Sequence, residues 1–166
     1  MISEEMRVQK HIQRGTSVRT IPVERPSELV LRHALEGAGQ RFTQQRAAVY
    51  RFLVGTDSHP TADEVFLHVR HELAGISLAT VYKSLEALVG CGLAVKLAYA
   101  DGSARYDGRT DLHHHVRCLS CGRVSDVADH VPPEAVEKLT RAAEGFRVTG
   151  YLLELTGYCG DCDPVT

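Results

Sequence analysis

The run from Ser77 to Tyr106, SLATVYKSLEALVGCGLAVKLAYADGSARY, changes its apolar period half-way, and that change decides the fold. Leu78, Val81, Leu85 and Leu88 recur at three- and four-residue intervals, the spacing that lines one face of an α-helix. Ser77 stands where an N-cap belongs, and Gly90 and Gly92 stop the pattern. From Leu93 to Tyr99 the period drops to two. Asp101-Gly102 is a turn signal, and Ser103–Tyr106 returns as a second strand of a hairpin.

Upstream, the same reading gives three more helices. Thr61 and Glu64 have capping-box spacing ahead of Val65, Phe66 and Val69. Thr43 can cap a helix that buries Ala47, Ala48, Tyr50, Phe52 and Leu53. Ser27 can cap a first helix with Leu29, Leu31, Leu35 and Ala38 as its apolar face. Short helices followed by a two-stranded hairpin are the plan of a winged helix, a variant of helix-turn-helix. The helix before the hairpin is then the recognition helix, with Thr80, Tyr82 and Lys83 placed to reach bases and phosphates. Arg46 completes the candidate DNA-contacting set. A plain helical scaffold is the competing reading of this half.

The expected organisation is an α/β (α+β) chain. Residues 1–26 form a flexible extension, 27–106 a winged-helix DNA-binding domain, 107–111 a hinge, and 112–166 a small α/β domain for dimerisation and metal binding. The extension mixes charges with Thr, Gly and Pro and has no period. Its Arg7, Lys10, Arg14 and Arg19 suit either a solvated tail or a basic arm on DNA. In the last part, His113–Val116 and Arg123–Val127 read as strands around a cysteine knuckle. Pro132-Pro133 opens a helix expected to bury Ala135, Val136, Leu139, Ala142 and Ala143, and Phe146–Leu155 reads as a final strand.

With 166 residues, 43% hydrophobic and 24% charged, the chain has the composition of one generous or two small globular domains. No apolar run approaches the ~18 residues of a membrane span, and no apolar core follows the basic N-terminal residues, so a cytoplasmic protein is expected. Residues 1–99 carry 12 Lys and Arg against 10 Asp and Glu, and residues 100–166 carry 7 against 11. A mildly basic front half fits a DNA-reading module joined to something else.

Two constellations carry chemistry. Cys118-x-x-Cys121 and Cys159-x-x-Cys162 offer four thiolates, the set that closes tetrahedrally around structural Zn²⁺. An iron–sulfur cluster and a redox dithiol are the alternatives. Cys91 stands apart and reads as a small buried hydrophobe. On a strand, His113 and His115 share one face and His114 takes the other. With Asp107 upstream and Asp126 on the neighbouring strand they form a mixed imidazole–carboxylate set suited to Fe²⁺ or Mn²⁺, although Zn²⁺ or Ni²⁺ would also bind. A polar surface run is the bland reading. A catalytic metal would need a nearby general base or nucleophile, and neither is visible, so an enzyme is not expected.

Taken together, HPTADEVF (59–66), SLATVYKSLEALVGCGL (77–93), SARYD (103–107), HHHVRCLSCGRVSD (113–126) and YCGDC (158–162) resemble the ferric uptake regulator (Fur) superfamily, and most closely its peroxide-responsive (PerR) branch. The resemblance implies a homodimeric winged-helix repressor, structural Zn²⁺ in the second domain and a palindromic double-stranded DNA operator. It implies His59, Asp107, His113, His115 and Asp126 as ligands of a regulatory Fe²⁺ or Mn²⁺ that closes the hinge. His59 and His113 stand where peroxide, the only small molecule expected as a signal, would oxidise a ligand. Zinc sensors of this superfamily usually carry Cys where Asp107 stands, and iron sensors Glu where Asp126 stands. An iron-responsive regulator is therefore the alternative. Leu112, His114 and Gly150 replace ligands of a further site found in many Fur proteins, and Lys83 replaces the commoner Arg after TVY.

Overall fold

The computed structural model describes residues 28–99 and 102–163. Expectations for residues 1–26, the Ser27 cap and Asp101 lie outside these. Four helices come first: α1 (Glu28–Gly37), α2 (Gln44–Gly55), α3 (Ala62–Glu72) and α4 (Leu78–Gly90). Their starts are written in the sequence. Thr43 and Ser77 accept from the backbone N–H three residues on, and Thr61 and Glu64 form a complete capping box. One core joins the helices: Leu31, Leu35, Leu53, Val69, Leu85 and Leu88 are almost fully buried. At about 1.5–3 kcal/mol for each large apolar side chain removed from water, this cluster is the main reason the helices assemble.

The hairpin follows as β1 (Val95–Ala98) and β2 (Ala104–Asp107), antiparallel with Val95 opposite Asp107. Gly102 turns it at φ +81°, where a side chain would be strained. Tyr106 closes the core from β2, and its hydroxyl donates to Glu86 of α4 at 3.2 Å, so wing and helix are tied together. On α1 the expectation needs correction. Leu31 and Leu35 are buried, but Leu29 is 60% exposed and Ala38, past the helix end, is exposed. Leu29 lies two positions from Leu31, about 200° round the helix, and faces away from the core.

The C-terminal part contains β3 (His114–Cys118), β4 (Val124–Val127), α5 (Pro133–Ala142) and β5 (Glu154–Gly157). The strands form one sheet in the order β4-β3-β5, with β3–β4 antiparallel and β3–β5 parallel. Two expectations fail here. No residue of α5 is buried, and Leu139 is 72% exposed. The last strand spans four residues only, leaving Phe146 at 80% and Leu152 at 81% exposure outside it. Periodicity identifies a face that prefers to leave water; it does not say what covers that face.

Asp107, read as the first residue of the hinge, is the last residue of β2. Gly108 then passes so close to α2 that an added Cβ would sit 2.6 Å from the Leu53 carbonyl oxygen. No flexible side chain can yield there, because the obstacle is backbone. Gly108→Ala is expected to destabilise the protein by about 1–3 kcal/mol and to displace Asp107. Thermal unfolding measures the first effect and divalent-metal titration the second; an unchanged transition would show that the close approach is not needed.

Candidate metal centre

Four separate pieces of chain deliver one cluster of donors. His59 lies in the loop between α2 and α3, one residue before Pro60, and its carbonyl accepts from Arg105 Nη1 at 2.8 Å. Asp107 ends β2. His113 precedes β3, and His115 lies within it directly opposite Asp126 of β4. Strand alternation puts His113 and His115 on the inner side. His114 turns the other way and packs its ring 5.6 Å from that of Tyr151.

The inner atoms converge. Asp107 Oδ2 lies 2.9, 3.4 and 3.5 Å from the Nε2 atoms of His113, His59 and His115. Asp126 Oδ1 lies 3.1, 3.4 and 3.8 Å from those of His59, His113 and His115. One donor atom from each of the five residues falls within 4.8 Å of all the others. Donors about 2.1 Å from a shared ion would lie about 3.0 Å apart at right angles and about 4.2 Å apart when opposed, so the spacing fits a single cation. The three Nε2 atoms and Asp107 Oδ2 are buried without a hydrogen-bond partner. Burying four such atoms unsatisfied would be costly, and one cation satisfies all of them.

The protonation states suit that ion. His113 Nδ1 faces the Asp111 carbonyl at 2.8 Å; as its donor, it leaves the Nε2 lone pair pointing inward. Burial pushes the Asp107 carboxyl up, but the nearby His59 imidazole and a hydrogen bond from the Arg109 backbone hold it below its ordinary value and ionised. Burial and the neighbouring imidazoles hold His115 below the ordinary histidine value, which favours the neutral, ligating form.

Arg109 and Asp111, which the sequence reading passed over as hinge residues, form an outer layer. The Arg109 N–H donates to Asp107 Oδ1 at 2.7 Å, and its Nη1 donates to Asp126 Oδ2 at 3.1 Å. Asp111 grips the same guanidinium through both carboxylate oxygens. A positive residue two places after a carboxylate was the only available signal, and it does not stand out among the charges of a surface loop.

The thiolates form a second cluster. Cys118 ends β3, Cys159 and Cys162 follow β5, and all four cysteine sulfurs lie within 4.8 Å of one another. Cys121 Sγ is 3.8 Å from Cys159 Sγ. Thiolates bound at about 2.3 Å around a tetrahedral zinc are about 3.8 Å apart, so the spacing suits one ion rather than a multi-iron cluster. Backbone N–H groups of Cys121 and Cys159 hold the Cys118 thiol down at about 6. Cys91 is the C-cap of α4 and packs half-buried on the helical core.

Of the candidate DNA contacts, Tyr82 and Lys83 face outward from α4. Thr80 is half-buried with its hydroxyl 2.9 Å from that of Ser77. The Arg46 guanidinium is engaged with the Arg41 carbonyl and with Gln40.

A family model described as the ferric uptake regulator family matches residues 37–156. The chain belongs to the ferric uptake regulator family. Among its ferric uptake regulator relatives, the peroxide-responsive repressor PerR of Staphylococcus epidermidis is 38% identical over 130 residues, covering 78% of this chain and 85% of the relative. The crystal structure of the Campylobacter jejuni peroxide stress regulator superposes with a TM-score of 0.59 at 30% identity, over 81% of this chain and 97% of that one. The Helicobacter pylori ferric uptake regulator Fur matches with a TM-score of 0.68, over 80% of this chain and 88% of that one; at 22% identity it shows the shared fold. Ferric uptake regulators are regulators and not enzymes. Among the described residues, no helix is long and apolar enough to cross a membrane.

Proposed function

We propose that the chain is a metal-dependent, peroxide-responsive transcriptional repressor. The observation that carries this reading is the convergence of three buried, unpartnered imidazole nitrogens with two carboxylates from both halves of the molecule. The names of the Staphylococcus and Campylobacter relatives support the peroxide part.

His59 and Asp107 belong to the helical half, and His113, His115 and Asp126 to the sheet half. A cation held by all five binds well only when the halves are together, so it favours that arrangement by its differential affinity. Mixed nitrogen and oxygen donors suit Fe²⁺ or Mn²⁺, while Cys118, Cys121, Cys159 and Cys162 hold structural Zn²⁺. The uncovered apolar face of α5, with Leu139, joins two copies. The fixed halves then place two copies of α4, with Tyr82 and Lys83, on successive major-groove half-sites of a palindromic operator in the cytoplasm.

Fe²⁺ held by His59, Asp107, His113, His115 and Asp126 would supply one electron to hydrogen peroxide, splitting the O–O bond into hydroxide and a hydroxyl radical. Addition of the radical to a ring carbon, with return of one electron to the iron and loss of a ring proton, would leave one added oxygen. His59 and His113 are the proposed targets. An oxidised ring loses its donor character, the halves part, and the operator is released. Mass spectrometry of the iron-loaded protein after peroxide tests this. One added oxygen on His59 or His113, accompanying loss of DNA binding, is expected; DNA release with both rings intact would defeat the reading and favour iron level as the signal.

A further inference from the structure

We propose that Arg109 is a positioning residue that fixes each cage carboxylate to a single inward oxygen, and so leaves the regulatory ion short of a full shell. The inference rests on the metal-dependent reading above and concerns a residue outside the five ligands.

Each carboxylate has two oxygens, and in both cases Arg109 occupies the outer one. Its backbone N–H takes Asp107 Oδ1 at 2.7 Å, and its Nη1 takes Asp126 Oδ2 at 3.1 Å. The inner oxygens, Asp107 Oδ2 and Asp126 Oδ1, are the ones that face the three imidazoles. With the outer oxygens turned to Arg109, the donors gathered within 4.8 Å of one another are one atom from each of the five residues. Asp126 most needs such restraint: its side chain is 34% exposed, whereas that of Asp107 is 7% exposed and packed in place. An unrestrained Asp126 could rotate to present both oxygens and fill a sixth position.

The guanidinium is itself held. Asp111 contacts Nε at 2.9 Å and Nη2 at 2.7 Å, leaving Nη1 aimed at Asp126. The same Asp111 faces His113 Nδ1 with its carbonyl at 2.8 Å. Two hinge residues therefore touch three of the five ligands from outside. The planar fork of arginine serves Asp111 and Asp126 at once, which an ammonium does less well. A five-donor shell leaves a cation one open position, and an open position is where a small molecule such as peroxide can approach. Arg109 thereby links the geometry of the hinge to the responsiveness of the site.

The test uses the full chain with its zinc in place and Co²⁺ as the probe of the second site. Five-coordinate Co²⁺ absorbs visible light several-fold more strongly than six-coordinate Co²⁺. Parent protein is expected to give the stronger band, and His113→Ala/His115→Ala to lose it. Arg109→Met is expected to bind Co²⁺ at the same stoichiometry with the band weakened several-fold, and Arg109→Lys, which keeps one donor for Asp126, to restore much of it. A parent band that disappears in the double-histidine variant but is unchanged in Arg109→Met overturns this inference alone. A parent band that survives the double-histidine substitution overturns the cage itself, and this inference with it.

Discussion

Replacing His113 and His115 together with alanine is expected to abolish the second divalent site while one zinc per chain remains. Two of the three imidazoles disappear, leaving His59 and two carboxylates around the same space. Even loss of a residue that merely orients a ligand typically weakens a metal site ten- to a hundredfold, so loss of two ligands should cost well over about a hundredfold. The thiolates gather at the far end of β3, where Cys118 is its last residue, and share no donor with the cage. Titration with Mn²⁺, combined with zinc analysis, therefore separates the sites. Full Mn²⁺ affinity in the variant would show that the imidazoles converge for another reason.

Replacing Cys118 or Cys159 with serine is expected to remove the zinc and the cage together, with a larger structural effect, because His113, His115 and Asp126 lie in the part the zinc holds. The sheet half has strands of four or five residues, and α5 has no buried residue. So little apolar burial cannot offset the entropy of ordering that many residues. Zinc bound by such knuckles contributes an apparent ~10–16 kcal/mol, which becomes folding free energy when the apo module is unfolded. Loss of a thiolate should release zinc and open residues beyond Asp107 to protease, while the helical core from Leu31 to Tyr106 stays protected. A variant that lost zinc and resisted proteolysis as well as the parent would show that the sheet holds itself.

Much of this was legible in the chain because local physics governs it. Thr43, Thr61 and Ser77 cap the helices they precede, and the change of period at Leu93 marks the hairpin. The alternation of His113, His114 and His115 needed only the two-residue repeat of a strand. What could not be read depends on groups distant in sequence. Leu139 and Phe146 carry the right apolar character for burial, yet their cover is not supplied by this chain's own described elements. Gly108 gave no hint that α2 would press against it. Arg109 and Asp111 look like loop charges until β4 brings Asp126 within reach, 17 residues away.

The central claim is that an ion held between the two halves governs DNA binding. Its most direct test is a gel shift on a duplex selected from a random pool by the Mn²⁺-loaded protein, run with zinc in place throughout. The lanes carry no second metal, Mn²⁺, or Fe²⁺, each with and without peroxide. The account predicts a shift only with Mn²⁺ or Fe²⁺, abolished by peroxide in the Fe²⁺ lane and unaffected in the Mn²⁺ lane. An equal shift without any second metal, or release of the Mn²⁺ form by peroxide, would contradict it.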